Sequence, residues 1–337
     1  MPLDRLRRAP SSRRGQAPAR AAGDLVREGP PPGVGPLRWY GTDVLGRPLA
    51  VLHHLERARL TTAVELSADA AEALLDAGGT RLHELLVGLG QSGTPLARLQ
   101  ILASAGRPGQ PGRVHLVAAL SVTRALAVDA QAADDSVGEG LALIAGRATL
   151  DLGLRLADME LSIRGFLDSA ELAALIRSRY QPQEPPPAAD SPWPVEIDAT
   201  DHRLLRTTTR QSSWYHATAW VKSWPSTPIG LDLPALLGLP HLRLPRTAAV
   251  TAAFDREQGP AVSGYLTVSA PDPAELQQAR AELRRALPPD APLQLEWTDR
   301  EHHLAFVHTL PLATGLTGEP AAPASRTSGL VAVGRRR

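Results

Sequence analysis

The residues best suited to do chemistry sit close together near one end of the chain: Glu301, His302, His303 and His308. Imidazoles and a carboxylate are zinc ligands, and the same groups act as general bases. Their spacing argues against a shared task. Consecutive residues on a helix diverge by about 100°, and His303 and His308 are not an i, i+4 pair, so one helix face does not present all four. Surface or partly buried histidines are expected here, and no metal site is assigned. His53 and His54 alternate across a strand and receive the same reading.

Other catalytic arrangements fail on residue type. With no cysteine there is no thiolate zinc site, iron–sulfur ligation, disulfide or cysteine nucleophile. A phosphate-cradling P-loop needs a lysine, and the single lysine, Lys222, falls in a strand-like run. Gly138 and Gly140 lack the preceding strand and the third glycine of a dinucleotide loop, and Gly-x-Ser-x-Gly is absent. No catalytic residue and no cofactor are assigned, and a His-dependent metalloenzyme stays only as a competing class. Ser263-Gly264-Tyr265-Leu266-Thr267-Val268 shares Gly264, Tyr265 and Val268 with an RNA-recognition strand, but it lacks the basic residue and the other stacking aromatics.

A cluster of aromatic residues has the clearest potential for binding. In Trp214-Tyr-His216-Ala-Thr-Ala-Trp220-Val-Lys-Ser-Trp224, the residues Trp214, His216, Thr218 and Trp220 alternate with Tyr215, Ala217, Ala219 and Val221. That is the period-two pattern of a strand. The alanine face belongs under helices. The tryptophan face is then covered by another part of the chain or offered to a partner, and Trp214, His216, Trp220 and Trp224 are the candidate partner-binding residues.

The elements around this strand follow an order. Strands are read at Thr61–Leu66, Leu99–Ala103, Val114–Leu120 and Met159–Ile163, with helices between Ser67 and Leu89 and between Leu141 and Leu156. After Ile163, Asp168-Ser-Ala-Glu171 is a capping box for one more helix, which stops near Tyr180. A second series holds strands at Trp214–Val221, Val250–Phe254, Val262–Val268 and Leu293–Trp297, with a short helix at Leu233–Leu239. In it, Asp272 as N-cap and Pro273 at the first helical position open another helix. The fold expected is α+β: two ferredoxin-like βαββαβ lobes with disordered N- and C-terminal tails. The boundaries expected are a tail at 1–36, a first lobe at 37–180, a Pro-rich linker at 181–200, a second lobe at 201–313 and a tail at 314–337. Helices on one face only would leave the other sheet face to solvent or a partner.

Composition narrows the setting. Hydrophobic residues make up 43%, but aromatics only 4%, so the cores are built from Leu, Val and Ala. A net charge of +1 does not suit a protein that coats nucleic acid. Arg5 to Arg20 and Arg335 to Arg337 are local basic exceptions, so nucleic-acid binding through tails and sheet is the alternative class. No run approaches the roughly 20 apolar residues of a spanning helix, and a soluble chain is expected.

His216-Ala-Thr-Ala-Trp220-Val-Lys-Ser-Trp224-Pro225, Arg246-Thr-Ala-Ala-Val250, Ser263-Gly-Tyr-Leu-Thr-Val-Ser-Ala-Pro-Asp272, Leu304-Ala-Phe306 and Thr309-Leu310-Pro311-Leu312 together resemble the cytoplasmic part of EccE-type type VII secretion proteins of actinobacteria. Leu172-Ala-Ala-Leu-Ile176-Arg177-x-x-Tyr180-x-Pro182 is similar to the segment preceding that family's His-x-Thr-x-Trp strand. Many members carry Gly-Gln-Gln where this chain has Arg300-Glu301-His302, and members usually carry N-terminal membrane helices. The resemblance implies a non-enzymatic accessory subunit of a secretion apparatus, working through protein–protein contacts with membrane-embedded subunits beside a separate ATPase. It also implies a cytoplasmic protein, peripheral at the inner face of the plasma membrane. An anionic surface would attract the Arg-rich tails, at about 1 kcal/mol per basic residue.

Overall fold

Alternation of apolar and polar residues produces twelve strands and seven helices among the described residues of the computed structural model. Those residues are 29–31, 33–75, 80–91, 94–105, 112–134, 136–182, 191–209, 212–223, 244–255, 259–287 and 293–316. The first half runs β1 (Leu37–Val44), β2 (Arg47–His54), β3 (Arg59–Leu66), α1 (Ala68–Leu74), α2 (Thr80–Gln91), β4 (Arg98–Ala105), β5 (Arg113–Ser121), α3 (Arg124–Ala133), α4 (Val137–Asp158), β6 (Ile163–Phe166) and α5 (Ser169–Tyr180). The second runs β7 (Glu196–Asp198), β8 (Leu205–Thr208), β9 (Ser213–Ser223), β10 (Arg246–Asp255), β11 (Gly259–Ala270), α6 (Pro273–Ala286), β12 (Gln294–Trp297) and α7 (His302–Val307).

Local signals set the helix starts. Ser67 accepts from the Ala70 amide to cap α1, Asp168 and Glu171 close a reciprocal capping box on α5, and Asp272 with Pro273 opens α6. Two elements differ from the sequence reading. Met159 is the C-cap of α4 rather than the start of a strand, and β6 begins at Ile163. The short α3, capped by Thr123, lies against α4 where Gly140 meets the Ala130 carbonyl; a Cβ there would collide with that backbone, so Gly140 is a packing residue. The short helix expected at Leu233–Leu239 lies outside the described residues.

All strands pair antiparallel in one mixed α+β architecture, in the order β1-β2-β3-β5-β4-β10-β11-β9-β8-β7, with β6 beside β3 and β12 beside β9. The two halves repeat one plan. β3 pairs with β2 over its first residues and with β6 over its last, and β9 does the same with β8 and β12. The halves meet where β4 runs against β10, from Arg98 opposite Ala253 to Ala105 opposite Arg246. The expectation of two lobes connected by a linker thus becomes one continuous sheet. Between Leu99 and Ser104, and between Thr247 and Phe254, neither strand has the charge or proline that guards an exposed edge, so each satisfies the other's backbone groups.

The two sheet faces have different chemistry. On the first, Leu60, Val64, Ile101, Leu116, Ala217, Val250 and Leu266 pack under α1, α2, α3, α4 and α6. The second face is expected to be open, yet the chain covers it. α5, α7 and the segment after α7 lie on it, bringing Leu172, Ile176, Tyr180, Phe306, Leu310 and Leu312 against Ala63, Leu102, Val117 and Ala249. Val34 is 3% exposed inside this second cluster, so packing begins ahead of the boundary at residue 36, and Thr314, 1% exposed, extends the buried residues past the boundary at 313.

Candidate functional site

The second face is polar as well as buried. Trp214 is 1% exposed and His216 0%. Phe306 covers the imidazole with 4.8 Å between ring centroids, and Tyr180 lies against Phe306 at 5.0 Å. His216 Nε2 is 2.8 Å from Thr207 Oγ1 and Nδ1 is 2.8 Å from Ser269 Oγ, while the Thr207 hydroxyl donates to the Tyr180 carbonyl at 3.1 Å. A hydroxyl has one proton, so Thr207 accepts from Nε2–H and Ser269 donates to Nδ1. Burial lowers the His216 pKa to about 3, against the upward pull of the Tyr180 carbonyl.

A serine within hydrogen-bond reach of an imidazole is the arrangement of a nucleophile and its base. Here the ring is sealed, its second nitrogen meets a threonine rather than a carboxylate, and it is too weak a base at neutral pH to take a proton from serine. The pair therefore ties β8, β9 and β11 to α5. A hydroxyl chain continues the link: Thr218 lies 2.9 Å from Thr267, which lies 3.2 Å from Thr309, which donates to the Phe306 carbonyl at 2.8 Å.

The histidines near the end of the chain go separate ways. The Thr218 amide donates to His302 Nδ1 at 3.1 Å, so that nitrogen carries no proton and Nε2–H donates to Asp299 Oδ1 at 3.1 Å. Asp299 also takes Arg280 at 2.6 Å, and the Arg280 guanidinium lies 4.6 Å over the Trp297 ring. His308 turns to Thr314 and packs on Tyr265, with ring centroids 4.7 Å apart. Among the described residues no group of three or more His, Cys, Asp or Glu is placed to hold a metal ion.

Beside His302, Arg300 has φ +77°, the left-handed region that favours glycine. Its side chain is exposed. Arg300→Gly is expected to raise stability by about 0.5–1 kcal/mol, the relief of left-handed strain less the added unfolded-state entropy. Urea denaturation checks the value, and a fall in the midpoint would contradict it.

On this face a cavity of about 280 Å³ opens at one end of the β4–β10 junction. Arg113 and Arg164 stand at its mouth, with side chains 49% and 62% exposed, and both approach Glu65, at 3.9 and 3.0 Å. Arg179 lies deeper, 6% exposed, and donates from one terminal nitrogen to Thr247 Oγ1 at 2.7 Å. Its Nε has no partner, and no carboxylate among the described residues pairs with it. Burial, then Arg113, lowers its pKa to about 10. His115 on the same wall is lowered to about 3, first by burial and then by Arg179, Arg113 and Arg164, and its Nδ1 is unpartnered. The sequence signal for Arg179 is its place on the buried stripe of α5: it follows Leu172 by two turns and stands beside Ile176 and Tyr180.

Of the aromatic candidates, Trp214 and His216 are interior and Trp220 is half-buried opposite Tyr265 and Glu296. Trp224 and the Arg-rich tails lie outside the described residues. No helix among the described residues is long and apolar enough to cross a membrane. No protein-family model matches the sequence, and no curated protein matches it significantly.

Proposed function

We propose that the chain is a non-catalytic accessory subunit of a type VII-like secretion apparatus, built from two ferredoxin-like units joined edge to edge. One observation carries the reading: residues from several of the stretches behind the resemblance, far apart in sequence, converge on the second face. Tyr180 ends Leu172–Pro182, His216 begins the His-x-Thr-x-Trp strand, and Phe306 and Thr309 come from the last stretch; all four meet through ring contacts and hydrogen bonds. A family sharing those residues would share this folding unit. The polar members are already engaged by the chain's own groups, which supports a role in assembly rather than turnover. The strand orders β6-β3-β5-β4 and β12-β9-β11-β10 support the ferredoxin-like description.

Partner contact then belongs to the surface that remains, and Trp220 is the aromatic candidate on it. Affinity purification of the intact protein from cells with such an apparatus is expected to recover its membrane-embedded subunits. Trp220→Ala should reduce that recovery while leaving the melting temperature within about 1–2 °C of wild type, as for a partly exposed substitution. Equal recovery by both proteins would remove Trp220 from the contact, and recovery of the chain alone would count against the reading.

A further inference from the structure

We propose that the cavity at the β4–β10 junction is a binding site for a phosphate dianion, carried by a small phosphorylated metabolite or free in solution. This inference does not depend on the secretion reading. The cavity lining contains Arg113, Arg164, Arg179 and Arg246 beside Glu65 and Glu171. At the mouth Arg113 and Arg164 share Glu65, whereas Arg179 at depth has no counter-charge among the described residues.

A buried guanidinium without an anion is costly, because burial removes its hydration and nothing replaces it. An oxyanion supplies the counter-charge that Arg179 lacks, and the several oxygens of a phosphate can reach more than one of the arginines that line the cavity. The donors suit a tetrahedral oxyanion: Arg179 spends one terminal nitrogen on Thr247 while its other terminal nitrogen makes no hydrogen bond among the described residues, and Thr247, having accepted from Arg179, still has its own hydroxyl proton to donate. Arg246, half-buried in the lining, lies cross-strand from Ala105, so the two halves of the molecule both contribute to the site. A volume of about 280 Å³ falls just below the usual range of ligand pockets, which favours a phosphate group with a small body attached.

The test is thermal denaturation and calorimetry of the full chain at constant ionic strength, with inorganic phosphate, ribose 5-phosphate, acetate and chloride as the added anions. Inorganic phosphate or ribose 5-phosphate is expected to raise the melting temperature by about 3 °C or more at roughly twenty-fold excess over its Kd, with acetate and chloride ineffective. Tighter binding of ribose 5-phosphate identifies a metabolite as the source, and tighter binding of inorganic phosphate identifies the free ion. Arg179→Met should lose the phosphate response. Arg246→Gln, a milder change at the wall, should weaken binding at least about tenfold if Arg179→Met fails to fold. A response to acetate equal to that with phosphate, no response beyond chloride, or a wild-type response in Arg246→Gln would overturn the proposal.

Discussion

Ending the chain after Val307 is expected to abolish cooperative folding. The described residues that follow α7 form no helix or strand, yet Thr309, Leu310, Leu312, Ala313 and Thr314 are buried against the second face. Gln100, at the middle of β4, holds this segment with both arms of its amide: Nε2 donates to the His308 carbonyl at 2.8 Å and Oε1 accepts from the Ala313 amide at 2.9 Å. Arg59 donates to the Ala313 carbonyl at 2.9 Å, and Thr251 donates to the Thr314 carbonyl at 2.9 Å. Truncation uncovers two leucine sites at about 1.5–3 kcal/mol each and strips partners from buried polar groups at about 1–3 kcal/mol each. That loss is comparable to the roughly 5–15 kcal/mol that stabilises an ordinary domain. A milder version is Gln100→Leu, which keeps the segment but orphans an amide and a carbonyl and should cost about 2–4 kcal/mol. Circular dichroism melts check both; a sharp wild-type transition in the truncated chain would show that the segment is not structural.

The second large effect is acid sensitivity beginning near pH 6.5. His115 and His216 are held neutral in the folded protein, each with its pKa lowered to about 3, first by burial. The unfolded chain takes up protons at about 6.5, so between about 6.5 and 3 it binds more protons than the folded one. Stability is complete above the unfolded value and is lost as pH falls through that window. Each fully shifted histidine contributes a slope of about 1.4 kcal/mol per pH unit, so the pair gives about 3 kcal/mol per unit below pH 6. His53, lowered to about 4 by burial and then by Arg38, adds in the same direction. Urea midpoints at pH 7, 6 and 5 measure the slope. His115→Leu removes a ring whose Nδ1 is unpartnered and should flatten the slope by about 1.4 kcal/mol per unit; a variant slope equal to wild type would assign the acid sensitivity elsewhere.

The parts of this architecture legible in sequence are those that depend on near neighbours. Alternation from Trp214 to Val221 marks a two-faced strand, and the pairs Asp168/Glu171 and Asp272/Pro273 mark helix starts, because each signal lies within a few residues. The cover on the second face is not legible in this way. α7 is six residues long, the segment behind it is irregular, and Gln100 reaches it across more than two hundred residues. Whether Trp214 is covered by the chain or offered to a partner is therefore undecided by sequence until its cover is known. The β4–β10 junction leaves a fainter mark: two strands with unguarded middles each need a neighbour, but nothing local says that they need each other. Arg179 is similar, since its place on an apolar stripe signals burial while its company of arginines is a product of topology.

The central claim, that this chain works as an assembled subunit, is tested most directly by fractionating paired cells with and without the membrane-embedded subunits of a type VII-like apparatus. The account predicts that the intact protein sediments with membranes when those subunits are present and is released when they are deleted. The same distribution in both cell lines would contradict it.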